Sequence, residues 1–165
     1  FYYYRPGRSG CTLDAADLLG FLEGRLAERF VVGDGDVQRR LAEFDWERDP
    51  DGRFRVNECY CHDTAWKHAL AALVHRSSYV LMDLRGFTAA NAGCRYELAV
   101  LARAPHVRRV VAVVDDTSDL RTAVGDAAPA PPGRFTWLRL PTGTGARRAS
   151  RQRVMAALLA PEAAA

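Results

Sequence analysis

At 165 residues, 48% apolar and 26% charged, the chain has the length and composition of one globular domain with a core of its own. No apolar run approaches the roughly 18 residues that a membrane helix needs, and no secretory leader pattern is present. A net charge of +3 is too small to argue for nucleic acid as a partner. The basic side chains are arginines apart from Lys67, a usage that, with the many Ala, Gly, Pro and Asp, fits a GC-rich coding genome. The chain opens at Phe1 inside a strand-like run, without an initiator methionine. The expectation is a fragment of a longer protein, whose upstream part could include a membrane anchor.

In chain order, Phe1–Tyr4 reads as a strand ending at Arg5-Pro6-Gly7. A helix follows, started by Thr12 or Asp14 and carrying an apolar stripe of Leu18, Leu19, Leu22, Leu26 and Phe30. Gly33-Asp-Gly-Asp36 reads as a turn, and Val37–Trp46 as a short helix or an irregular excursion. Asp49-Pro-Asp-Gly52 is a strong turn signal. Phe54–Cys61 reads as the second strand, and Asp63 as the cap of a helix with Trp66, Ala69, Leu70, Leu73 and Val74 on one face.

Tyr79–Leu84 is the third strand. The helix after it has Asn91 as its cap, and its residues Cys94, Glu97, Leu98 and Leu101 fall on one stripe at i, i+3, i+4 and i+7. Arg109–Val114 is a fourth strand, closed by Asp115-Asp116. A short helix over Asp119–Val124, a Pro/Ala loop over Ala127–Gly133, a strand over Phe135–Leu140 and a helix over Arg147–Leu159 complete the pattern. Alternation of strands and helices, with continuous apolar runs as strands, predicts a five-stranded parallel sheet covered by helices on both faces. Five strands fit the flavodoxin-like order 2-1-3-4-5, whose ligands bind beyond the carboxyl ends of the strands at the switch between strands 1 and 3. That edge gathers Arg5, the Cys61–Asp63 loop, Asp83, Arg85 and Glu97.

Glu97 is the leading candidate. A carboxylate on the apolar stripe of a helix is costly to bury unless something pairs with it or uses it. It reads either as a structural partner of an arginine such as Arg5 or Arg85, or as a group facing a ligand's sugar or amine. Asp83, at the end of strand 3, sits where a receiver domain is phosphorylated. The acidic pair after strand 1 and the lysine after strand 5 that such domains need are missing, so Asp83 reads as a loop-organising acceptor. Arg5 either holds a phosphate bidentately or pairs with Asp83 or Glu97. Gly143-Thr-Gly145 ahead of Arg147, Arg148, Arg151 and Arg153 lacks the full phosphate-loop motif and reads as the start of a solvated basic helix. His62, His68, His75 and His106 are scattered and suggest no triad. Cys11, Cys59, Cys61 and Cys94 form no CxxC pair and no recognisable zinc or disulfide framework. They are expected to be reduced thiols in a cytoplasmic chain, with a metal site on Cys59, Cys61 and His62 as the minor alternative.

The segment Leu73-Val-His-Arg-Ser-Ser-Tyr-Val-Leu-Met-Asp83, followed by Gly93-Cys94-Arg95-Tyr96-Glu97-Leu98, resembles a bacterial-type Toll/interleukin-1 receptor (TIR) domain. That family has a helix ending in Ser, an apolar strand and then a "WCxxEL" segment. Gly93 stands here for the Trp, Asp83 for a usual Ser, and the loop after strand 2 is short. The element order of the whole chain is similar to the family's, whereas the motif is confined to residues 73–98.

The resemblance implies a signalling or defence domain that binds NAD(P) or a related nucleotide, with Glu97 as the catalytic residue where the nicotinamide–ribose bond is hydrolysed. Arg5, Asp83, Arg85 and Cys94 would then line the nucleotide, and no cofactor is implied beyond NAD(P) as substrate. It equally implies the family's other mode, a non-catalytic module that associates with itself or with other TIR-like domains, on the cytoplasmic side of a membrane if anchored. A nucleoside deoxyribosyltransferase-like enzyme is the third reading, since such enzymes also use carboxylates on a flavodoxin-like sheet to cut a base–sugar bond.

Overall fold

The computed structural model describes residues 30–45, 47–52, 57, 59–140 and 147–160. The chain divides into two compact units, one up to residue 72 and one from residue 73. The expected strand Phe1–Tyr4, Arg5, the helix start at Thr12 or Asp14, and Gly143-Thr-Gly145 lie outside the described residues.

In the first unit, β1 (Phe30–Val31) pairs in parallel with β2 (Tyr60–Cys61), Phe30 opposite Tyr60 and Val31 opposite Cys61. Phe30 therefore belongs to a strand, not to the helical stripe on which its spacing from Leu26 places it. Val31 and Val32 follow it, and β-branched side chains favour the extended backbone that this pairing needs. The strand expected over Phe54–Cys61 is described only as Tyr60–Cys61, with Cys59 outside the ladder.

Gly33–Asp36 is not a free turn. It starts helix α1 (Asp34–Ala42), with Gly33 as N-cap. The Asp36 carboxylate turns back to accept from the amides of Val32 and Gly33, both at 3.2 Å, which satisfies donors that the helix itself leaves without acceptors. Val37 and Leu41, one turn apart, and Phe44 beyond them are buried. The Asp49–Gly52 turn forms as expected. The Gly52 amide donates to the Asp49 carbonyl at 2.8 Å, and Gly52 takes φ +81°, a conformation that favours glycine. Residues 63–65 form a turn on the His62 carbonyl, so helix α2 (Trp66–His75) begins beyond Asp63. The unit boundary falls within α2.

The second unit holds a three-stranded parallel sheet in the order β3 (Tyr79–Asp83), β4 (Arg109–Val114), β5 (Phe135–Arg139). Helix α3 (Ala92–Arg103) joins β3 to β4, and α4 (Leu120–Ala127) joins β4 to β5; these two helices pack on each other. Helix α5 (Arg147–Leu159) follows β5 and packs on the sheet. The α/β class and the parallel pairing of strands 3, 4 and 5 are thus observed.

Every residue of β4 is buried, as a central strand requires. β3 alternates instead: Val80 and Met82 are buried, whereas Tyr79 and Leu81 are 49% and 43% exposed. Register puts Tyr79 and Leu81 on the same face as Arg109 and Val111, and Val80 and Met82 on the face of Val110 and Ala112. No helix of the described residues is long and apolar enough to cross a membrane.

Candidate functional site

The carboxyl edge of the second unit is built by the loops after β3 and β4. Asp83 ends β3 with its side chain exposed, and Arg85 folds back onto it. The Arg85 Nε donates to Asp83 Oδ1 at 2.8 Å, Nη2 donates to Oδ2 at 2.5 Å, and the Arg85 amide donates to Oδ1 at 3.1 Å. Burial alone would push the Asp83 carboxyl up, but these bonds and the guanidinium charge hold it below its ordinary value. The reading of Asp83 as a loop-organising acceptor matches this geometry.

Gly86 follows at φ +68°, where glycine alone is free of strain, and its amide donates to Asp115 Oδ1 at 3.2 Å. Asp115 is the feature that sequence reasoning missed. It is 4% exposed, and its Oδ1 also accepts from the Thr117 amide (3.0 Å), the Thr117 hydroxyl (2.8 Å) and the Ser118 hydroxyl (2.9 Å). Burial opposes ionisation, but the Thr117, Gly86 and Ser118 donors prevail and lower the carboxyl from 3.8 to about 2. Asp115 thereby ties the β3–α3 loop to the β4–α4 loop. The Asp119 amide donates to the Phe87 carbonyl at 2.8 Å and tightens the same junction. The signal that could have found it is Asp115 followed by Thr117 and Ser118, the pattern of side chains that close a turn on their own backbone.

Helix α3 carries the principal candidate. Asn91 occupies its N-cap position, but the side chain does not cap it. Asn91 Oδ1 accepts from the Thr88 amide at 2.7 Å and the Thr88 hydroxyl at 3.0 Å, which closes the preceding loop instead. Glu97 lies in the second turn and is 8% exposed, beside buried Leu98, Leu101 and Ala102; Cys94, one turn earlier on the same stripe, is half-buried. The apolar stripe read from the sequence is thus the buried face of the helix, and it includes the carboxylate. The structure joins Asp83 to Arg85, and it places Cys94 and Glu97 on one face of the next helix. Arg5 is outside the described residues.

The opposite face of α3 lines a shallow groove of about 430 Å³ formed by Tyr96, Ala99, Val100, Arg103 and Ala104. It lies away from the Glu97 stripe. Further along the carboxyl edge, Asp116 pairs with Arg139 at 2.6 Å, and Asp119 caps α4 by accepting from Thr122. Cys59, Cys61 and Cys94 are in no disulfide, and among the described residues no three His, Cys, Asp or Glu side chains are grouped to hold a metal.

Comparison with protein-family models, with curated proteins and with solved structures gives no match for this chain. The fold and the site define an α/β chain with a parallel sheet and a buried carboxylate in the second turn of the helix that follows β3.

Proposed function

We propose that the carboxyl edge of the second unit binds NAD(P) or a related nucleotide, and that Glu97 is the carboxylate that acts on its sugar. The observation that carries this reading is the burial of Glu97 in the second turn of the helix that follows β3. Cleavage of a nicotinamide–ribose bond develops positive charge on the ribose. A fixed anion beside that sugar stabilises the charge, as carboxylates do in glycosidases. Nicotinamide leaves as a neutral base, so the step needs no strong general acid. Arg85 suits the pyrophosphate because a guanidinium can grip two oxygens at once. The similarity of Gly93–Leu98 to the "WCxxEL" segment supports the same assignment.

The test is Glu97→Gln in the full chain, with nicotinamide release from NAD(P) measured at high protein concentration alongside thermal unfolding. The amide keeps the shape of the side chain. Release should fall by a factor on the order of 10²–10³, the scale of removing one preorganised electrostatic group, while the melting temperature changes little. A large loss of melting temperature, with no release by the parent chain, would leave Glu97 as a structural carboxylate.

A second reading, self-association without turnover, is favoured by the groove on α3. Tyr96, Ala99, Val100 and Arg103 recur at helical spacing and present an apolar outer face with Tyr96 exposed. Light scattering across a concentration series tests it, with Val100→Glu expected to reduce association.

A further inference from the structure

Cys59 and Cys61 lie in the first unit, in surroundings of their own. Two residues apart in nearly extended backbone, they point to the same side of the chain, and their sulfurs are 3.6 Å apart. The backbone carrying them is held at both ends. Upstream, the Asn57 side chain clasps Asp45, accepting from its amide at 3.0 Å and donating to its carbonyl at 2.8 Å. Downstream, Tyr60 and Cys61 are paired with β1, and the His62 amide donates to the Val31 carbonyl at 3.0 Å. Both thiols are half-buried, so a small reagent can still reach them.

We propose that Cys59 and Cys61 form a reversible redox pair, whose substrate is a small-molecule disulfide of the glutathione type. Cys59 is the attacking sulfur. Its thiol is lowered to about 7, first by the bond that the Cys61 thiol donates and, against some burial, by the Arg40 charge; Cys61 is pushed up by the same bond and by burial. The Cys59 thiolate attacks one sulfur of the reagent, forming a mixed disulfide and expelling one thiolate. Cys61 then gives its proton to that leaving thiolate or to water and attacks Cys59 Sγ, expelling the second. Two electrons pass from the protein dithiol to the reagent, which leaves as two thiols. A ring closed across one intervening residue is small and strained, so the bond should be readily reversed by excess dithiol. This chemistry is independent of any role for Glu97.

The experiment treats the full chain, reduced and then freed of reductant, with glutathione disulfide. Disulfides are mapped by proteolysis and mass spectrometry under acid quench. The parent chain should lose two hydrogens in the peptide holding both cysteines, and dithiothreitol should restore them. Cys61→Ser should trap a persistent glutathione adduct on Cys59. Cys59→Ser should acquire its adduct on Cys61 about tenfold more slowly, since fewer of its thiols are ionised. Mapping on the parent chain tests the pair even where a variant folds poorly. A bond to Cys11 or Cys94 instead, a stable adduct on the parent chain without ring closure, or stoichiometric zinc in the purified protein would overturn the proposal.

Discussion

The buried charges at the two edges of the β3–β4–β5 sheet are of opposite sign. At the amino edge the acceptors are helix carbonyls and the partners are basic side chains. Arg109 donates to the carbonyls of Ala157, Leu158 and Ala160 at the end of α5. Arg134 donates to those of Leu101 and Ala102 at the end of α3. His106 Nε2 lies 2.6 Å from the Val74 carbonyl at the end of α2. At the carboxyl edge the partners are carboxylates: Asp115 gathers loop amides and hydroxyls, and Asp119 takes the first turn of α4. In a parallel sheet the connecting helices run against the strands. Their C-termini, with four carbonyls lacking helical partners and a partial negative charge, therefore collect at one edge, and their N-termini at the other. Most of the buried charge in this unit follows from that geometry. Arg109, Arg134 and Asp115 follow it; Glu97, also buried among the described residues, lies on the flank of α3 in its second turn.

The comparison is broken most severely at Asp115. Asp115→Ala removes the acceptor of four bonds and leaves the Gly86 and Thr117 amides without it. A cost of about 3 kcal/mol in urea unfolding is expected, because buried donors stranded without acceptors are expensive. At the other edge, Arg134→Ala and Arg109→Ala should each cost about 2 kcal/mol, the scale of charged hydrogen bonds to buried carbonyls. Arg→Lys at either position should recover only part of that, since one ammonium cannot reproduce the spread of a guanidinium. If the arginine variants were neutral while Asp115→Ala was costly, the helix C-termini would not need their cations, and the symmetry of the two edges would fail.

Acid sharpens the same contrast. The Asp115 carboxyl is depressed from 3.8 to about 2 in the folded chain. A depressed carboxylate stabilises the fold fully above its unfolded value, and that stabilisation is lost as pH falls from 3.8 through about 2. The amount is about 2 kcal/mol, since each tenfold change in proton affinity between the folded and unfolded chain carries about 1.4 kcal/mol. Stability measured from pH 5 downward should fall across that window for the parent chain. Asp115→Asn, which has no carboxyl to titrate, should show a smaller fall, so the difference between the two narrows as pH drops. A constant difference would mean that Asp115 holds its loops by shape rather than by charge.

Much of the second unit was legible in the sequence. Arg109–Val114 and Arg147–Leu159 were read with the observed bounds, and β3 and β5 to within one residue, because each apolar run ends at a turn or a charge. The exposure of Tyr79 and Leu81 was not legible, since an apolar run carries no mark of which face its neighbours leave open. The first unit read less well. β1 and β2 are two residues each, too short for any period to register, and Phe30 continues the spacing of the stripe before it. At the site, Glu97 stood out because a carboxylate on an apolar stripe contradicts its pattern. Arg109 and Arg134 did not, because an arginine that opens or precedes a strand looks like ordinary punctuation. Asn91 was placed correctly, but its side chain had two amides to choose from and took that of Thr88.

The smallest effect is expected at the half-exposed ion pair that follows β3 on the carboxyl edge. Asp83 and Arg85 form a bidentate pair with both side chains about half open to water. Such a pair contributes at most about 1 kcal/mol, so Asp83→Asn should barely move the melting temperature. Its effect on ligand binding is more informative. If Arg85 grips a pyrophosphate, Asp83 competes with that anion for the same guanidinium. Neutralising Asp83 weakens the competitor and removes a negative charge from the approach. NAD(P) should then bind about two- to fivefold more tightly to Asp83→Asn, the factor that a fraction of 1 kcal/mol allows, and more weakly to Arg85→Ala. Calorimetric titration of the three proteins decides between the roles. Opposite shifts in the two variants make Arg85 a ligand contact restrained by Asp83. Equal affinities in all three would make the pair a clasp of the β3–α3 loop and nothing more.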